Sequence, residues 1–304
     1  MPVSADGMGS MTHPDLHTPV SPNVASPQSA LAALARTAAL GPVATPAELI
    51  PVPTGPFQVP AKAANDVALS LILPTFNESK NIRSSVHTTA AVLRGIAGLS
   101  FELIVVDDDS PDETWRIALE EACSIPELRV MRRTGEAGLA TAVIRGWQAA
   151  RGGILAVMDA DMQHPPEVLK QLVAAMKSGA DMAVGSRHVE NGGVSDWSLP
   201  RRMISRTAQG IGLLILPEVV GRVADPMSGY FMLRREAIAG RALNPTGYKI
   251  LIEVLARGAA KNVAEVGYVF RERQEGESKV SARIYWQYLQ HLVRLRIGWY
   301  SLIN

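Results

Sequence analysis

The chain has 304 residues, a formal net charge of +1 and 47% hydrophobic residues, which is enough to bury one large domain or two small ones. This charge balance argues against a nucleic-acid-binding protein, because such proteins usually carry a basic excess. The single cysteine, Cys123, excludes an intramolecular disulfide framework and is typical of a reducing compartment. We expect Cys123 to be a small buried residue of a helix.

Residues 1–65 are rich in Pro, Ala, Ser and Thr, and we predict that they form a disordered tail. The start of the chain lacks the basic residues and the apolar core of a signal peptide. The apolar run at 211–216 is too short to span a membrane and is followed by Pro217. The sequence therefore predicts a soluble or peripheral protein.

From residue 67 onwards, buried strands alternate with amphipathic helices. Apolar runs typical of buried strands occupy 67–73, 101–106, 128–131, 154–158 and 181–184. The helix after the second strand is predicted to begin at Ser110, because Ser110, Pro111 and Glu113 complete a capping box. The alternation predicts an α/β fold with a doubly wound, mostly parallel, Rossmann-like sheet.

Three of the predicted strands end in polar clusters, at Asn77 and Glu78, at 107–109, and at Asp159 and Asp161. The carboxyl ends of parallel strands meet at one rim, where α/β proteins bind their ligands. Asp-x-Asp at this rim offers hard oxygens to Mg²⁺ or Mn²⁺ carrying a diphosphate, and Gln163 could add an amide oxygen. The alternative is a plain turn, since Asp is common at strand ends. No glycine-rich phosphate motif follows the first strand, so metal and side chains would have to neutralise the diphosphate.

Two later stretches carry cations that could meet an anion. A helix predicted at 197–216 begins with a face that includes Arg201 and Ser205. This face could hold a phosphate through bidentate arginine contacts, or it could be a solvated basic surface. The charged loop before the last helix is either a solvated connector or a mobile lid that offers Arg273 and Lys279 to an anion.

The last predicted helix, at 281–300, has a narrow polar stripe and a wide apolar surface. The apolar residues are Ile284, Tyr285, Trp286, Tyr288, Leu289, Leu292, Val293, Leu295 and Trp299. We expect this amphipathic helix to lie at a bilayer interface, because Trp and Tyr rings with Arg tips suit that environment. The competing interpretation is an interface with another subunit.

These motifs resemble those of the polyprenyl-phosphate mannosyltransferases of the dolichol-phosphate mannose synthase type, which are inverting GT-A glycosyltransferases of family 2. The resemblance is carried by the stretches 74–78, 106–112, 158–167, 185–187, 225–229 and 276–279. The run at 159–167 (Asp-Ala-Asp-Met-Gln-His-Pro-Pro-Glu) is the specific one, because it separates this group from most other family 2 transferases. The resemblance implies a GT-A domain at 66–270, followed by an acceptor loop and a membrane-surface helix at 271–304.

The resemblance also implies a role for each matching residue. The nucleoside of the sugar donor would lie against Pro74, Phe76, Glu78, Val106 and Asp108. The divalent metal on the diphosphate would be held by Asp159, Asp161 and Gln163, with Ala160 also at the donor. The phosphate of the lipid acceptor would be surrounded by Arg187, Arg201, Ser205 and Arg273, with Lys279 on the adjacent loop. The implied catalytic residues are Asp159, Asp161 and Arg187. Phe76 departs from the family, which usually has tyrosine there, so stacking remains possible and a hydroxyl contact is lost.

The implied reaction is transfer of mannose from GDP-mannose to a polyprenyl monophosphate, with inversion and with Mg²⁺ or Mn²⁺ as cofactor. A monophosphate with a second pKa of about 6 is mostly dianionic at neutral pH, so the nucleophile needs no catalytic histidine. We therefore interpret His164 as a helix-start residue. The alternatives are a glucosyltransferase using UDP-glucose, a non-catalytic membrane-docking subunit and a soluble polysaccharide synthase.

The expected location is cytoplasmic and peripheral, on the cytoplasmic face of the membrane. The expected partners are GDP-mannose, a polyprenyl monophosphate and the membrane surface, with an integral membrane protein as a further candidate. We expect no nucleic acid among them.

Overall fold

A computed structural model describes residues 47–62, 66–194, 207, 209–245, 247–271 and 282–303. Its strands are β1 (Leu69–Thr75), β2 (Phe101–Asp107), β3 (Leu128–Arg132), β4 (Ile154–Val157), β5 (Met182–Ser186), β6 (Gly193–Val194), β7 (Phe231–Arg234), β8 (Val263–Gly267) and β9 (Val269–Phe270). Its helices are α1 (Ile82–Arg94), α2 (Thr114–Ala122), α3 (Leu139–Ala149), α4 (Leu169–Lys177), α5 (Pro217–Val220), α6 (Ile250–Arg257) and α7 (Ala282–Ile303).

Within the described ranges, the central sheet has seven strands in the order β3-β2-β1-β4-β7-β5-β8. Strand β7 is antiparallel to both of its neighbours, and the other pairs are parallel. Phe231, the first residue of β7, lies opposite Val157 of β4 and Val184 of β5. Strand β7 therefore begins at the edge where β4 and β5 end. The prediction of a doubly wound, mostly parallel sheet is confirmed.

Helices cover both faces of this sheet. Successive strand residues point to opposite faces, so Ile72 joins a buried cluster with α3 and α6, while Leu71 and Leu73 join another with α1, α2 and α4. With both faces covered, polar side chains that serve a ligand are placed at the carboxyl edge of the sheet.

The helix after β2 begins later than the capping-box pattern predicts. Helix α2 starts at Thr114, and Glu113 before it has a left-handed backbone with a φ of 59°. The Ser110 hydroxyl donates to Asp107 Oδ2 over 2.7 Å, so it is already engaged and does not cap a helix. Asp112 takes that role, because its Oδ1 accepts from the N–H of Thr114 over 3.2 Å and from the Thr114 hydroxyl over 2.6 Å.

Residues 47–62 pack against the domain, so the tail predicted for 1–65 does not extend over this segment. The N–H of Ile50 donates to the Val130 carbonyl over 2.8 Å, beside β3. Val59 is 1% exposed, and its carbonyl accepts from the N–H of Gly240 over 3.0 Å. We call residues 47–62 the N-terminal strap. Residues 1–46 lie outside the described residues.

One smaller expectation also differs from the structure. Cys123, which lies one residue beyond the end of α2, is exposed rather than buried. The stretch 263–270 forms the two strands β8 and β9, and Tyr268 between them is 3% exposed. Tyr268 thereby points into the interior below the carboxyl edge.

One face of the last helix, α7, is buried against the domain. The exposed apolar surface of this helix is therefore smaller than the sequence predicts. The buried residues are Tyr288, His291, Leu292 and Leu295, each at most 4% exposed. His291 Nε2 lies 2.8 Å from Oε2 of Glu253, a buried residue of α6. Trp286, Val293 and Ile297 stay on the outer side, with exposures of 62%, 47% and 64%. None of the helices in the described ranges is long and apolar enough to cross a membrane.

Candidate active site

The loops that follow β1 and β2 are fastened to each other at the carboxyl edge of the sheet. Thr75 donates its hydroxyl to Asp107 Oδ2 over 2.8 Å, and the N–H of Asp108 donates to the Thr75 carbonyl over 3.1 Å. The N–H of Asn77 donates to the Ser110 hydroxyl over 2.9 Å. Burial raises the pKa of Asp107, although hydrogen bonds from Ser110 and Thr75 oppose the shift. The buried Asp107 side chain therefore joins the two loops through its hydrogen bonds with Thr75 and Ser110.

The two aspartates after Asp107 have different surroundings. Asp108 pairs with Arg133, whose Nε donates to Asp108 Oδ1 over 2.8 Å, and Asp108 Oδ2 accepts from the N–H of Gly138 over 2.6 Å. Asp109 lies on the outside, where its Oδ1 accepts from Arg132 Nε over 2.6 Å. Asp108 is thus held in one orientation at the edge where the sequence predicts a nucleoside.

The other residues predicted to contact a nucleoside lie at the carboxyl ends of β1 and β2 or just after β1. Pro74 of β1 and Val106 of β2 are directly opposite each other, and both are buried. Phe76, just after β1, is 45% exposed, so its ring offers accessible apolar surface. Glu78 is 7% exposed, and its Oε2 accepts from the Asn81 amide over 2.8 Å. These positions share the carboxyl ends of two adjacent strands, as the sequence predicts.

The segment after β4 folds back on itself and presents two carboxylates. The backbone at Met162 is left-handed, with a φ of 62°, and Asp161 Oδ1 accepts from the N–H of Gln163 over 3.1 Å. The Asp159 side chain is 33% exposed, while Ala160 and Asp161 are 2% and 7% exposed. The segment is therefore a turn in which Asp159 is the accessible carboxylate, and the metal interpretation stays a prediction.

The oxygen atoms of this segment fit a divalent cation that is also bound to a diphosphate. Gln163 donates its amide nitrogen to the Arg271 carbonyl over 3.0 Å, so its amide oxygen is the atom it can offer a cation. In the described part of the chain, no three His, Cys, Asp or Glu side chains are grouped for a metal. A metal held by Asp159, Asp161 and Gln163 would therefore complete its shell with phosphate or water oxygens, as Mg²⁺ commonly does.

His164 is not the helix-start residue that the sequence suggests. It is 3% exposed, its Nε2 lies 3.4 Å from Asp159 Oδ2, and its Nδ1 lies 2.9 Å from the Tyr268 hydroxyl. Its ring packs against Tyr230 and Phe270, with centroid distances of 5.1 Å in both cases. His164 is thus a buried neighbour that holds the Asp159 carboxylate in place. The short stretch around His164 gave no sign of this role, because its ring partners are distant in the sequence.

Arg187 follows β5 and is held by a buried aspartate. Its Nε and Nη2 donate to Oδ2 and Oδ1 of Asp225 over 2.7 and 2.8 Å, a bidentate pair. Burial by itself would lower the pKa of Arg187, but the pairing with Asp225 raises it. Burial likewise opposes ionisation of Asp225, yet Arg187 keeps its pKa below the usual value. Because β4 and β5 end at the same edge, this rigid cation lies on the rim that also carries Asp159.

The loop at 225–229, which leads into β7, contacts both sides of the site. Gly229 lies so close to Asp159 that a Cβ at this position would be 3.2 Å from Oδ2. The Met227 carbonyl accepts from Lys249 Nζ over 2.9 Å. Burial lowers the pKa of Lys249 to about 7, and the neighbouring arginine charge adds to this effect. Lys249 is a basic residue of the site that its local sequence does not mark.

Four of the predicted acceptor residues lie outside the described residues: Arg201, Ser205, Arg273 and Lys279. Residues 209–215, which belong to the helix predicted at 197–216, are helical. The N–H of Arg271 donates to the Gln163 carbonyl over 3.0 Å. Arg271, at the end of a described range, therefore lies beside the two-carboxylate segment.

A family model described as glycosyl transferase family 2 matches residues 70–240, which include the carboxyl edge described above. The chain belongs to glycosyl transferase family 2. It is 44% identical over 227 residues to the dolichol-phosphate mannosyltransferase of Pyrococcus furiosus. That match covers 75% of this chain and 63% of the relative, so it spans less than two thirds of the relative's length.

Two further relatives of this family 2 glycosyltransferase are matched over most of their length. The dolichol-phosphate mannosyltransferase of Saccharomyces cerevisiae is 35% identical over 76% of this chain and 88% of its own. The polyprenol monophosphomannose synthase of Mycolicibacterium smegmatis is 37% identical over 69% of this chain and 80% of its own.

Solved structures show the same fold at lower identity. Glucosyl-3-phosphoglycerate synthase from Mycobacterium tuberculosis, in complex with Mg²⁺ and UDP, has a TM-score of 0.57 and 23% identity over 77% of this chain and 80% of its own. Mannosyl-3-phosphoglycerate synthase from Rubrobacter xylanophilus has a TM-score of 0.57 and 22% identity over 75% of this chain and 73% of its own. The predicted GT-A fold is confirmed.

The depressed pKa of Lys249 predicts a pH-dependent stability. The folded value of about 7 lies below the ordinary value of 10.5, so the unfolded chain binds more protons between these two pH values. The cost of burying the charged lysine is therefore complete below pH 7 and falls as pH rises toward 10.5. Lys249→Met should remove this cost. In metal-free thermal melts, we expect the Tm of the variant relative to wild type to be highest below pH 7 and to decline as pH rises.

The matched control is Lys170→Met, which removes an exposed lysine of α4. A surface substitution of this kind usually changes stability by less than about 0.5 kcal/mol, and we expect its Tm difference to be the same at every pH. A Tm difference for Lys249→Met that is equally independent of pH would contradict the assignment of a depressed pKa.

Proposed function

We propose that this glycosyltransferase transfers mannose from GDP-mannose to a polyprenyl monophosphate and releases GDP. The observation that carries the proposal is the shared carboxyl edge of the sheet. The segment with Asp159 and Asp161 lies on this edge together with the buried ion pair between Arg187 and Asp225. Such an edge suits a reaction between two anionic substrates, an acceptor phosphate and a nucleotide sugar. The nucleoside diphosphate that leaves gains negative charge in this reaction. The names of the relatives support mannose as the sugar and a polyprenyl phosphate as the acceptor.

On the donor side, the accessible ring of Phe76 and the oriented carboxylate of Asp108 contact the nucleoside. Asp159, Asp161 and Gln163 would hold Mg²⁺ or Mn²⁺ at the diphosphate. When bound, the cation would supply positive charge that neutralises the leaving oxygens. His164 keeps the Asp159 carboxylate in place for this contact.

On the acceptor side, a phosphate oxygen attacks the anomeric carbon while the bond to the diphosphate breaks. The acceptor is already dianionic near neutral pH, since its second pKa is about 6, so no side chain has to remove a proton. Arg187 guides this anion, because its charge is permanent and Asp225 fixes its orientation. Lys249 adds a second positive charge when it is protonated, and Arg201, Ser205, Arg273 and Lys279 complete the phosphate site. In-line attack inverts the anomeric centre.

The proposal is tested with the full chain, Mg²⁺ or Mn²⁺, a short-chain polyprenyl phosphate and a panel of labelled nucleotide sugars. We expect label to enter the lipid fraction from GDP-mannose and the product to have the inverted configuration by NMR. Transfer from UDP-glucose in preference to GDP-mannose would replace the donor assignment. An absence of transfer from every donor would contradict the enzyme assignment of the site.

The outer side of α7 supports a peripheral membrane location. Trp286, Val293 and Ile297 lie at spacings of seven and four residues, so they share one exposed helical face. We predict that the protein pellets with liposomes and that the triple variant Trp286→Ser/Val293→Ser/Ile297→Ser stays in the supernatant. Its transfer to a water-soluble, short-chain acceptor should persist, because the site lies elsewhere.

The control for this experiment is Gln290→Ser, an exposed polar position of the same helix. Leu292 is left unchanged, because it is 0% exposed and its replacement would damage the core. If the triple variant still pellets but a dimer dissociates in size-exclusion chromatography, the face is a subunit interface. Attachment to the cytoplasmic face of a membrane remains part of the proposal.

A further inference from the structure

The N-terminal strap is joined to the catalytic domain by a buried arginine. Arg145 of α3 is 3% exposed, and its Nη1 donates to the Gly55 carbonyl of the strap over 3.2 Å. Its guanidinium lies over the Phe57 ring, 4.3 Å from the ring centre, which is a cation–π contact. Gln148, on the same helix, donates to two further strap carbonyls over 2.9 and 3.0 Å. The strap therefore fixes the position of the Arg145 guanidinium.

On its other side, Arg145 is paired with Glu136, which lies between β3 and α3. Arg145 Nε and Nη2 donate to Oε2 and Oε1 of Glu136 over 2.9 and 2.5 Å. The hydrogen bond from Arg145 is the main cause of the lowered pKa of Glu136. A second arginine, Arg133, also reaches this carboxylate, with Nη1 3.3 Å from Oε2. Two arginines thus share one carboxylate.

Arg133 connects Glu136 to Asp108, the residue proposed to contact the nucleoside of the donor. Its side chain is 0% exposed, and it pairs with Asp108 through Nε and Nη2. It also donates to the Gly138 carbonyl over 3.0 Å and to the Thr141 hydroxyl over 3.1 Å. Because the N–H of Gly138 donates to Asp108 Oδ2, the Asp108 carboxylate cannot turn unless Arg133 or Gly138 moves.

We propose that Arg145 is a positioning residue for the sugar donor and that the N-terminal strap acts on the donor site through it. The strap holds Arg145, Arg145 and Arg133 share Glu136, and Arg133 orients Asp108. This inference rests on the proposed function, in which Asp108 contacts the nucleoside. When Arg145 is lost, Glu136 is left with Arg133 alone and competes with Asp108 for its guanidinium. The orientation of Asp108 then becomes less well defined.

The test measures the dissociation constants of GDP and UDP by calorimetry, with Mg²⁺ or Mn²⁺ present, for the full wild-type chain and Arg145→Met. Wild type should bind one of the nucleotides. Arg145→Met should bind that nucleotide roughly three- to tenfold more weakly, which corresponds to the loss of one hydrogen-bonded neighbour. The KM for short-chain polyprenyl phosphate at saturating donor should change by less than about twofold, because the hydrogen bonds that the structure describes for Arg145 go to the strap, Glu136 and Gln148 and not to Arg187 or Lys249.

The matched control is Arg235→Met. Arg235 is 2% exposed and donates to the Pro60 carbonyl of the strap over 3.3 Å, but within the described residues its other hydrogen bonds go to the Gly152 and Ala150 carbonyls. Its replacement should lower the Tm and leave the nucleotide dissociation constant unchanged. Arg145→Lys keeps a positive charge opposite Glu136 and should recover most of the affinity. If Arg145→Met does not fold, Phe57→Ala tests the same link, because it removes the ring against Arg145 and keeps the guanidinium, although it also removes packing against the core.

The outcomes separate the inference from the proposed function. If wild type binds neither nucleotide, the proposed function fails and the inference fails with it. If wild type binds a nucleotide and Arg145→Met binds it equally well with a lower Tm, Arg145 is only structural and the proposed function is unaffected. Equal weakening in Arg145→Met and Arg235→Met also overturns the inference, since general damage to the strap would then explain the result.

Discussion

Asp159→Asn and Asp161→Asn are each expected to reduce transfer more than about 100-fold while leaving the fold intact. Residues that merely support a metal ligand typically cost 10–100-fold when replaced, so a proposed ligand should cost more. Asparagine keeps the size of the side chain and can preserve the turn at Met162, but it removes a negative charge from the cation site. The measurement is the initial rate of label transfer to a short-chain acceptor over a range of Mg²⁺ or Mn²⁺ concentrations.

Two matched variants test this explanation at the same edge of the sheet. Asp109→Asn removes an aspartate that is paired on the outside with Arg132, and it should change the rate by less than about twofold. The transfer rate of His164→Gln should lie between those of Asp109→Asn and Asp159→Asn, roughly 10- to 100-fold below wild type. The reason is that His164 no longer holds the Asp159 carboxylate in place. Wild-type turnover by Asp159→Asn, or undiminished activity after exhaustive chelation, would rule out the metal assignment.

The sequence predicted β1, β2, β4 and β5 well because these strands are almost entirely buried. Such strands are largely apolar, and polar clusters follow their carboxyl ends, so the pattern also predicted where Phe76, Asp108 and Asp159 would lie. The parallel direction followed from the alternation with helices. Strand β7 is an exception, since an apolar run contains no information about its direction.

What the sequence did not predict depends on contacts between distant residues. His164 acquires its role from Tyr268, and Lys249 acquires its environment from the loop at 225–229. The capping box at Ser110 failed for the same reason, because Thr75 and Ser110 both bind Asp107 and the helix start is displaced to Thr114. Tyr288, Leu292 and Leu295 of α7 are likewise packed against the domain, and helical periodicity does not distinguish such a buried stripe from a membrane-facing one.

Arg187→Met is expected to destabilise the protein by about 3–5 kcal/mol, because it leaves the buried carboxylate of Asp225 without its partner. In the wild type, Arg187 keeps the pKa of Asp225 low in spite of burial, so this pair contributes stability above the unfolded pKa of about 3.9. In the variant, the side-chain hydrogen bonds and the charge of Arg187 no longer oppose burial, so the pKa of Asp225 rises. Its charged form then becomes a cost that grows as pH rises above about 4. The Tm difference between wild type and variant should therefore widen from pH 4 toward neutral pH.

The double variant Arg187→Met/Asp225→Asn separates the structural role of this pair from its role in the reaction. Asparagine can still accept the hydrogen bond from the N–H of residue 187, which is 3.1 Å long in the wild type. Removing both charges should restore most of the lost Tm, since a buried pair replaced by neutral groups is often no less stable. Transfer activity should nevertheless stay low, because the cation that guides the acceptor phosphate is absent. If activity returned together with stability, Arg187 would be only a structural partner of Asp225, and the acceptor phosphate would have to be bound by Lys249 and the remaining cations.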